Sequence, residues 1–152
     1  MPVRPARPSD RSALSSLQSH LAEPSPSLLD ASVASGDEGG AVPAGGVGTL
    51  LVSADGDGTA DRPAGYLLAV DSDGEGHVAE VVVAPARRRE GRASDLLTAY
   101  LRQRPPGTRV TVTVAPDNGA ARSLYEAHGF EVAGRRRDFF ESGDALVYER
   151  TV

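Results

Sequence analysis

Hydrophobic and polar positions run along this chain in two rhythms, and the changes between them mark out its elements. Val3 to Ala6 reads as a short first strand. Ser9 or Asp10 can cap a helix whose apolar positions Ala13, Leu14, Leu17 and Leu21 form one stripe at helical spacing. Pro24 and Pro26 break the chain, after which Ser27 to Val33 predicts a short second helix. From Ala34 to Gly48 there are six glycines and no periodicity, which predicts a loop of the length that is usually functional or disordered.

Thr49 to Ser53 and Gly65 to Val70 read as two strands of an antiparallel hairpin joined by an acidic, Gly-rich turn. In His77 to Ala84 the apolar run of Val78, Val81, Val82 and Val83 predicts a strand covered on both faces, at the centre of the sheet. Ala93, Leu96, Leu97, Tyr100 and Leu101 then return to helical spacing. Arg109 to Val114 alternates, with three valines on one face and Thr111 and Thr113 on the other. Pro116 to Asn118 starts a helix through Ala127 that Gly129 can end in a left-handed cap. Phe130 to Phe140 and Asp144 to Thr151 predict an antiparallel pair around Ser142 and Gly143. The sum is one mixed α/β domain over residues 1–152, with about seven strands.

Composition narrows the chemistry. The 152 residues include no cysteine, which excludes disulfides, thiolate zinc sites and a cysteine nucleophile. No apolar run has the length of a signal peptide's core or of a membrane span, so the expectation is a soluble, cytoplasmic protein with no membrane partner. All 16 basic residues are arginine and the formal net charge is -5, which disfavours general nucleic-acid binding. Asp55, Asp57, Asp61, Asp71 and Asp73 sit in Gly-rich stretches and read as solvated loop tips. The turn from Asp71 to Gly76 imitates half of a calcium loop, but the twelfth position is Val82 and the flanks are strands, so no metal is expected.

The most informative segment runs from Val83 to Ala93, where a central strand passes through a basic, Gly-containing turn into a helix. A helix N-terminus offers unpaired N–H groups and the positive end of the dipole, so a diphosphate can rest on it. Gly91 and Ala93 keep side chains out of its way, and Arg88, Arg89 and Arg92 can add charge around it. The segment resembles the cofactor signature of the GNAT acetyltransferases, Q/R-x-x-G-x-G/A after a strand ending V-x-P. Here it is Arg88-x-x-Gly91-x-Ala93 after Val83-x-Pro85. A second family pattern, Asn-x-x-Ala-x-x-x-Tyr-x-x-x-Gly-Phe, recurs as Asn118, Ala121, Tyr125, Gly129 and Phe130. The tail from Arg136 to Phe140 looks like the branch that acetylates protein N-termini, including ribosomal proteins.

The resemblance implies a mainly antiparallel seven-stranded sheet, splayed at its central strands and flanked by about four helices. It implies acetyl-CoA as cosubstrate, with the pantetheine arm along Val81, Val82 and Val83. The diphosphate would lie on the turn Arg89, Glu90, Gly91, Arg92, Ala93 and Ser94, beside Arg88, and Asn118 would hold the arm from the other side. The reaction implied is direct transfer of acetyl to an amine, with Tyr125 as general acid and Glu80, a carboxylate on an apolar strand, as base. The acidic residue that the N-terminal branch often carries before the Asn helix falls at Thr113. Of the three histidines His77 is the candidate to touch the acceptor, and Asp37 and Glu38 in the long loop favour a cationic amine entering between that loop and the turn near Ser142. The alternative function is a catalytically weak acyl-CoA-binding module. The protein itself is expected to be a monomer or homodimer.

Overall fold

In a computed structural model of the chain, residues 3–21, 29, 41–42, 46–56, 61–140 and 143–152 are described. Their strands are β1 (Val3–Pro5), β2 (Ala41–Val42), β3 (Gly46–Asp55), β4 (Arg62–Ser72), β5 (Glu75–Val83), β6 (Arg109–Val114), β7 (Glu131–Phe140) and β8 (Gly143–Thr151). Three α-helices accompany them: α1 (Arg11–Gln18), α2 (Arg92–Arg102) and α3 (Gly119–Ala127). Short 3-10 turns at Pro8–Asp10 and Pro85–Arg87 lead toward α1 and α2. The sheet order is β1-β3-β4-β5-β6-β8-β7, with β2 added against β3. Every pairing is antiparallel except β5 with β6, whose parallel run is bridged by α2.

The expected elements that fall on described residues are present with shifted ends. β3 begins at Gly46 and β2 pairs Ala41 and Val42 with Val47 and Gly46, so strand intrudes on a stretch that reads as loop; its valines supply the β preference that its glycines mask. Most of the expected helix Ser27 to Val33 lies outside the described residues, which leaves three described helices against the four expected.

Each face of the sheet buries its own cluster. α2 and α3 cover one face, where Leu96, Leu97, Tyr100 and Tyr125 meet Val78, Val110, Val112, Leu146 and Tyr148. α1 covers the other through Leu14 and Leu17 against Leu50, Val52, Tyr66, Leu68 and Val82. Three of the aspartates expected as solvated tips are instead tied down. Asp71 accepts from Tyr100 Oη at 2.5 Å and Thr49 Oγ1 at 2.5 Å, and pairs with Arg104 at 2.8 Å. Asp61 pairs with Arg4 at 2.7 Å, and Asp55 with Arg87 at 2.8 Å and with Arg92. Their partners lie far away in sequence, which turn composition does not reveal.

Two irregularities position the site. β5 and β6 pair only from Glu75·Arg109 to Val78·Val112. Beyond that register, Ala79 to Val83 and Thr113 to Val114 run on without pairing to one another, and a wedge opens between the two strands. β5 also carries a bulge: Leu68 faces Glu80 and Ala69 faces Val78, which leaves Ala79 as the extra residue.

Candidate active site

The free ladder in the wedge follows from register. Ala84 N–H donates to Ala64 C=O at 2.8 Å, so residues 64 and 84 form a hydrogen-bonded pair. Antiparallel pairs alternate between bonded and non-bonded. Tyr66·Val82 is therefore the next bonded pair, and Val81 and Val83 turn their N–H and C=O groups away from β4 toward the side that β6 has left. Of these, the Val83 carbonyl accepts Arg88 Nε at 3.1 Å. An extended chain of amides, which is what a pantetheine arm is, can add itself to this edge as a partial strand.

At the open end of β5 the backbone reverses into α2 through two left-handed residues, Arg89 (φ 67°) and the N-cap Gly91 (φ 83°). No side chain caps the helix, and among the described residues the N–H groups of Arg92, Ala93 and Ser94 have no acceptor. A Cβ on Gly91 would meet nothing within 4 Å, so the side of the turn that Gly91 faces is open. Free amides, a helix dipole and open space fit a diphosphate. The basic side chains divide. Among the described residues Arg89 makes no ion pair, while Arg92 is 2% exposed and bonds Glu90 at 2.9 Å, Ser53 Oγ at 3.0 Å and Asp55. Arg92 thus has its backbone N–H, not its guanidinium, to offer an anion, and Glu90 is occupied as its partner. Ser94 Oγ shares a 2.9 Å hydrogen bond with His128 Nε2, joining the start of α2 to the end of α3. Burial, assisted by nearby Arg150, lowers the His128 pKa.

Tyr125 and Glu80 flank the wedge from opposite faces of the sheet. Tyr125 is 4% exposed on the α2/α3 side, edge-on to Phe130 at 5.5 Å and tilted against Tyr148 at 6.4 Å. Among the described residues its hydroxyl has no hydrogen-bond partner, and burial pushes its pKa up, so it is protonated at neutral pH. Glu80, also 4% exposed, lies on the α1 side, where it accepts Tyr66 Oη at 2.8 Å and Gln18 Nε2 at 3.0 and 3.2 Å. Asn118 caps α3, its Oδ1 accepting Ala121 N–H at 3.1 Å, which leaves its amide NH₂ to donate elsewhere. His77 shares a 3.0 Å hydrogen bond with Thr111, and burial, with Arg136 nearby, lowers its pKa. Asp37, Glu38 and Ser142 lie outside the described residues. Among the described residues no group of three or more His, Asp or Glu could hold a metal, and no helix is long and apolar enough to cross a membrane.

Compared with known proteins, residues 22–130 fit the model of the acetyltransferase (GNAT) family. The chain belongs to the GNAT acetyltransferases. It is 38% identical over 94 residues to a mycothiol acetyltransferase of Clavibacter michiganensis, a match covering 62% of this chain and 29% of the relative. The match thus spans less than a third of that relative's length. Solved structures share the fold from end to end. Arabidopsis thaliana NAA60 in complex with acetyl-CoA superposes with a TM-score of 0.78 at 15% identity, covering 99% of this chain and 98% of that one. The ribosomal-protein-S18-alanine N-acetyltransferase of Escherichia coli superposes with a TM-score of 0.73 at 18% identity, covering 99% and 93%.

Within this GNAT domain, sequence reasoning did not single out Gln18 and Tyr66. One ends an amphipathic helix and the other sits in an apolar strand, and only folding brings them to Glu80. The buried position of both polar groups, 6% and 0% exposed, is a signal that becomes visible with the coordinates.

Proposed function

We propose that this GNAT domain is an N-acetyltransferase that moves acetyl from acetyl-CoA to a primary amine by direct attack. The observation that carries the reading is the meeting, at one end of β5, of a strand edge free to pair with an amide chain and a helix start free to bind a diphosphate. Val81 and Val83 would hold the pantetheine arm, since Val82 is paired with Tyr66 on β4 and buried under α1; the N–H groups from Arg92 to Ser94 would hold the diphosphate, and Arg88 and Arg89 would balance its charge. Asn118, with an amide to donate, would approach the arm from α3. Acetyl-CoA supplies the activated acetyl thioester. The nitrogen–carbon bond forms as the carbon–sulfur bond breaks, so a proton must leave the amine and another must reach the departing sulfur.

Glu80, directly or through a water, takes the amine's proton, and Tyr125 gives the sulfur its proton. Their places on opposite faces of the wedge support this division, because acceptor and thioester then meet between them. The likeness to structures of protein N-terminal acetyltransferases supports a peptide or protein amine as acceptor. The assay is thiol release from acetyl-CoA against a panel of N-terminal peptides, lysine peptides and small amines. Turnover with at least one amine class, giving an amide product by mass, is expected. Tight acetyl-CoA binding with no transfer to any amine would replace the enzyme by an acyl-CoA sensor.

A further inference from the structure

We propose that Gln18 and Tyr66 are positioning residues that hold the Glu80 carboxylate aimed for proton removal. The inference rests on the reading of Glu80 as the base. In a regular strand side chains alternate between faces, so with Val78 on the α2/α3 face Glu80 would share it. The extra residue Ala79 breaks the alternation and turns Glu80 to the α1 face. A carboxylate at this depth is driven toward its neutral form unless donors compensate. The α1 face supplies them: Tyr66 Oη to Oε1 at 2.8 Å, and Gln18 Nε2 to both oxygens at 3.0 and 3.2 Å.

Neither donor is the choice packing alone would make. Gln18 lies in the turn of α1 after Leu14 and Leu17, against a cluster that an apolar side chain would join at no cost in polar burial. Tyr66 is fully buried in that cluster, where phenylalanine would fill the same space. Burial and the adjacent Glu80 charge raise the Tyr66 pKa, so its hydroxyl stays a donor through the working pH range. Among the described residues, the donors seen on its oxygens are the Tyr66 phenol from β4 and the neutral Gln18 amide from α1. On β5 the neighbouring titratable side chain, His77, is engaged with Thr111. Both donors bind the carboxylate oxygens directly, so a variant lacking either loses a hydrogen bond to the charged form. Hydrogen bonds to charged groups of the usual strength correspond to about one to two pH units each.

The test uses the full chain with ¹³C-labelled glutamate, the Glu80 resonance being assigned by its loss in Glu80→Gln. Its titration is compared with the acidic limb of kcat against pH in wild type, Tyr66→Phe and Gln18→Met. Expected is an upward move of the Glu80 midpoint by about one to two units in each variant. The acidic limb should move with it, while the KM for acetyl-CoA stays at the wild-type value. An unmoved Glu80 midpoint in both folded variants overturns the proposal even if Glu80→Gln removes the acidic limb, a result that leaves the base reading intact. A limb that survives in Glu80→Gln overturns the base reading itself. Should Gln18→Met fail to fold, Tyr66→Phe, which keeps its ring, decides alone.

Discussion

Arg92→Met separates two roles for an arginine that lies in the middle of the phosphate-binding signature. Methionine keeps the buried stem but removes the guanidinium, and with it the bonds to Glu90 at 2.9 Å, Ser53 at 3.0 Å and Asp55. Breaking a buried ion pair typically costs about 3–5 kcal/mol, much of it from the charge left behind. Here the carboxylates left behind, Asp55 and Glu90, are each 39% exposed and can rehydrate, whereas Ser53 is fully buried. The expected loss is therefore below that range, about 2–3 kcal/mol, equivalent to a fall in Tm of roughly 5–10 °C for a domain of this size. Urea denaturation measures the first and calorimetric melting the second. Since Arg92 fastens the turn before α2 to β3, acetyl-CoA affinity should fall too, and equally at low and high salt. A variant as stable as wild type, whose affinity loss disappears at high salt, would show that the guanidinium contacts the ligand and refute this reasoning.

Tyr125→Phe should lower kcat by about 10² to 10⁴ with little change in acetyl-CoA affinity, as removal of a general acid does; near wild-type kcat in the purified variant would remove Tyr125 from the mechanism. Gly76→Ala should destabilise by about 1–3 kcal/mol, because its Cβ would overlap the Tyr100 hydroxyl and push it off Asp71; an unchanged melting temperature would show that Tyr100 moves aside freely. Acid stability should depend on Arg4. Burial works to raise the Asp10 carboxyl, but the bond from Arg4 and the N–H of Arg7 outweigh it, so its pKa lies below the ordinary 3.8. Arg4 lowers Asp61 as well. Depressed folded-state values mean stability that is present above about pH 4 and is lost as pH falls through them. Arg4→Met should therefore flatten the fall in Tm between pH 4 and pH 2, and melting curves that fall in parallel for the two proteins would count against the pairing.

What the sequence discloses and what it hides divide by range. The helix carrying Tyr125 is legible because its apolar spacing is local, and the anion-binding turn because glycine, small residues and strand-to-helix order sit within eleven positions of one another. The valine run of β5 announces a central strand, but not that β6 leaves it after Val78, since divergence depends on pairing rather than on composition. Period-two reasoning cannot see the bulge at Ala79, and so it cannot say which face Glu80 occupies. Arg89 and Arg92 look equivalent as residues. What separates them is Asp55, 37 positions before Arg92 and reachable only across the folded sheet.

The central claim, that the open amides at the start of α2 receive acetyl-CoA, is tested most directly by calorimetric titration of acetyl-CoA into wild type and Gly91→Val. Valine must adopt the φ of 83° that suits glycine, a conformation its branched side chain disfavours, so the turn that presents the amides must shift. Saturable one-site binding by wild type is expected, and none by Gly91→Val while its circular dichroism stays native. Equal affinities in the two folded proteins would contradict it.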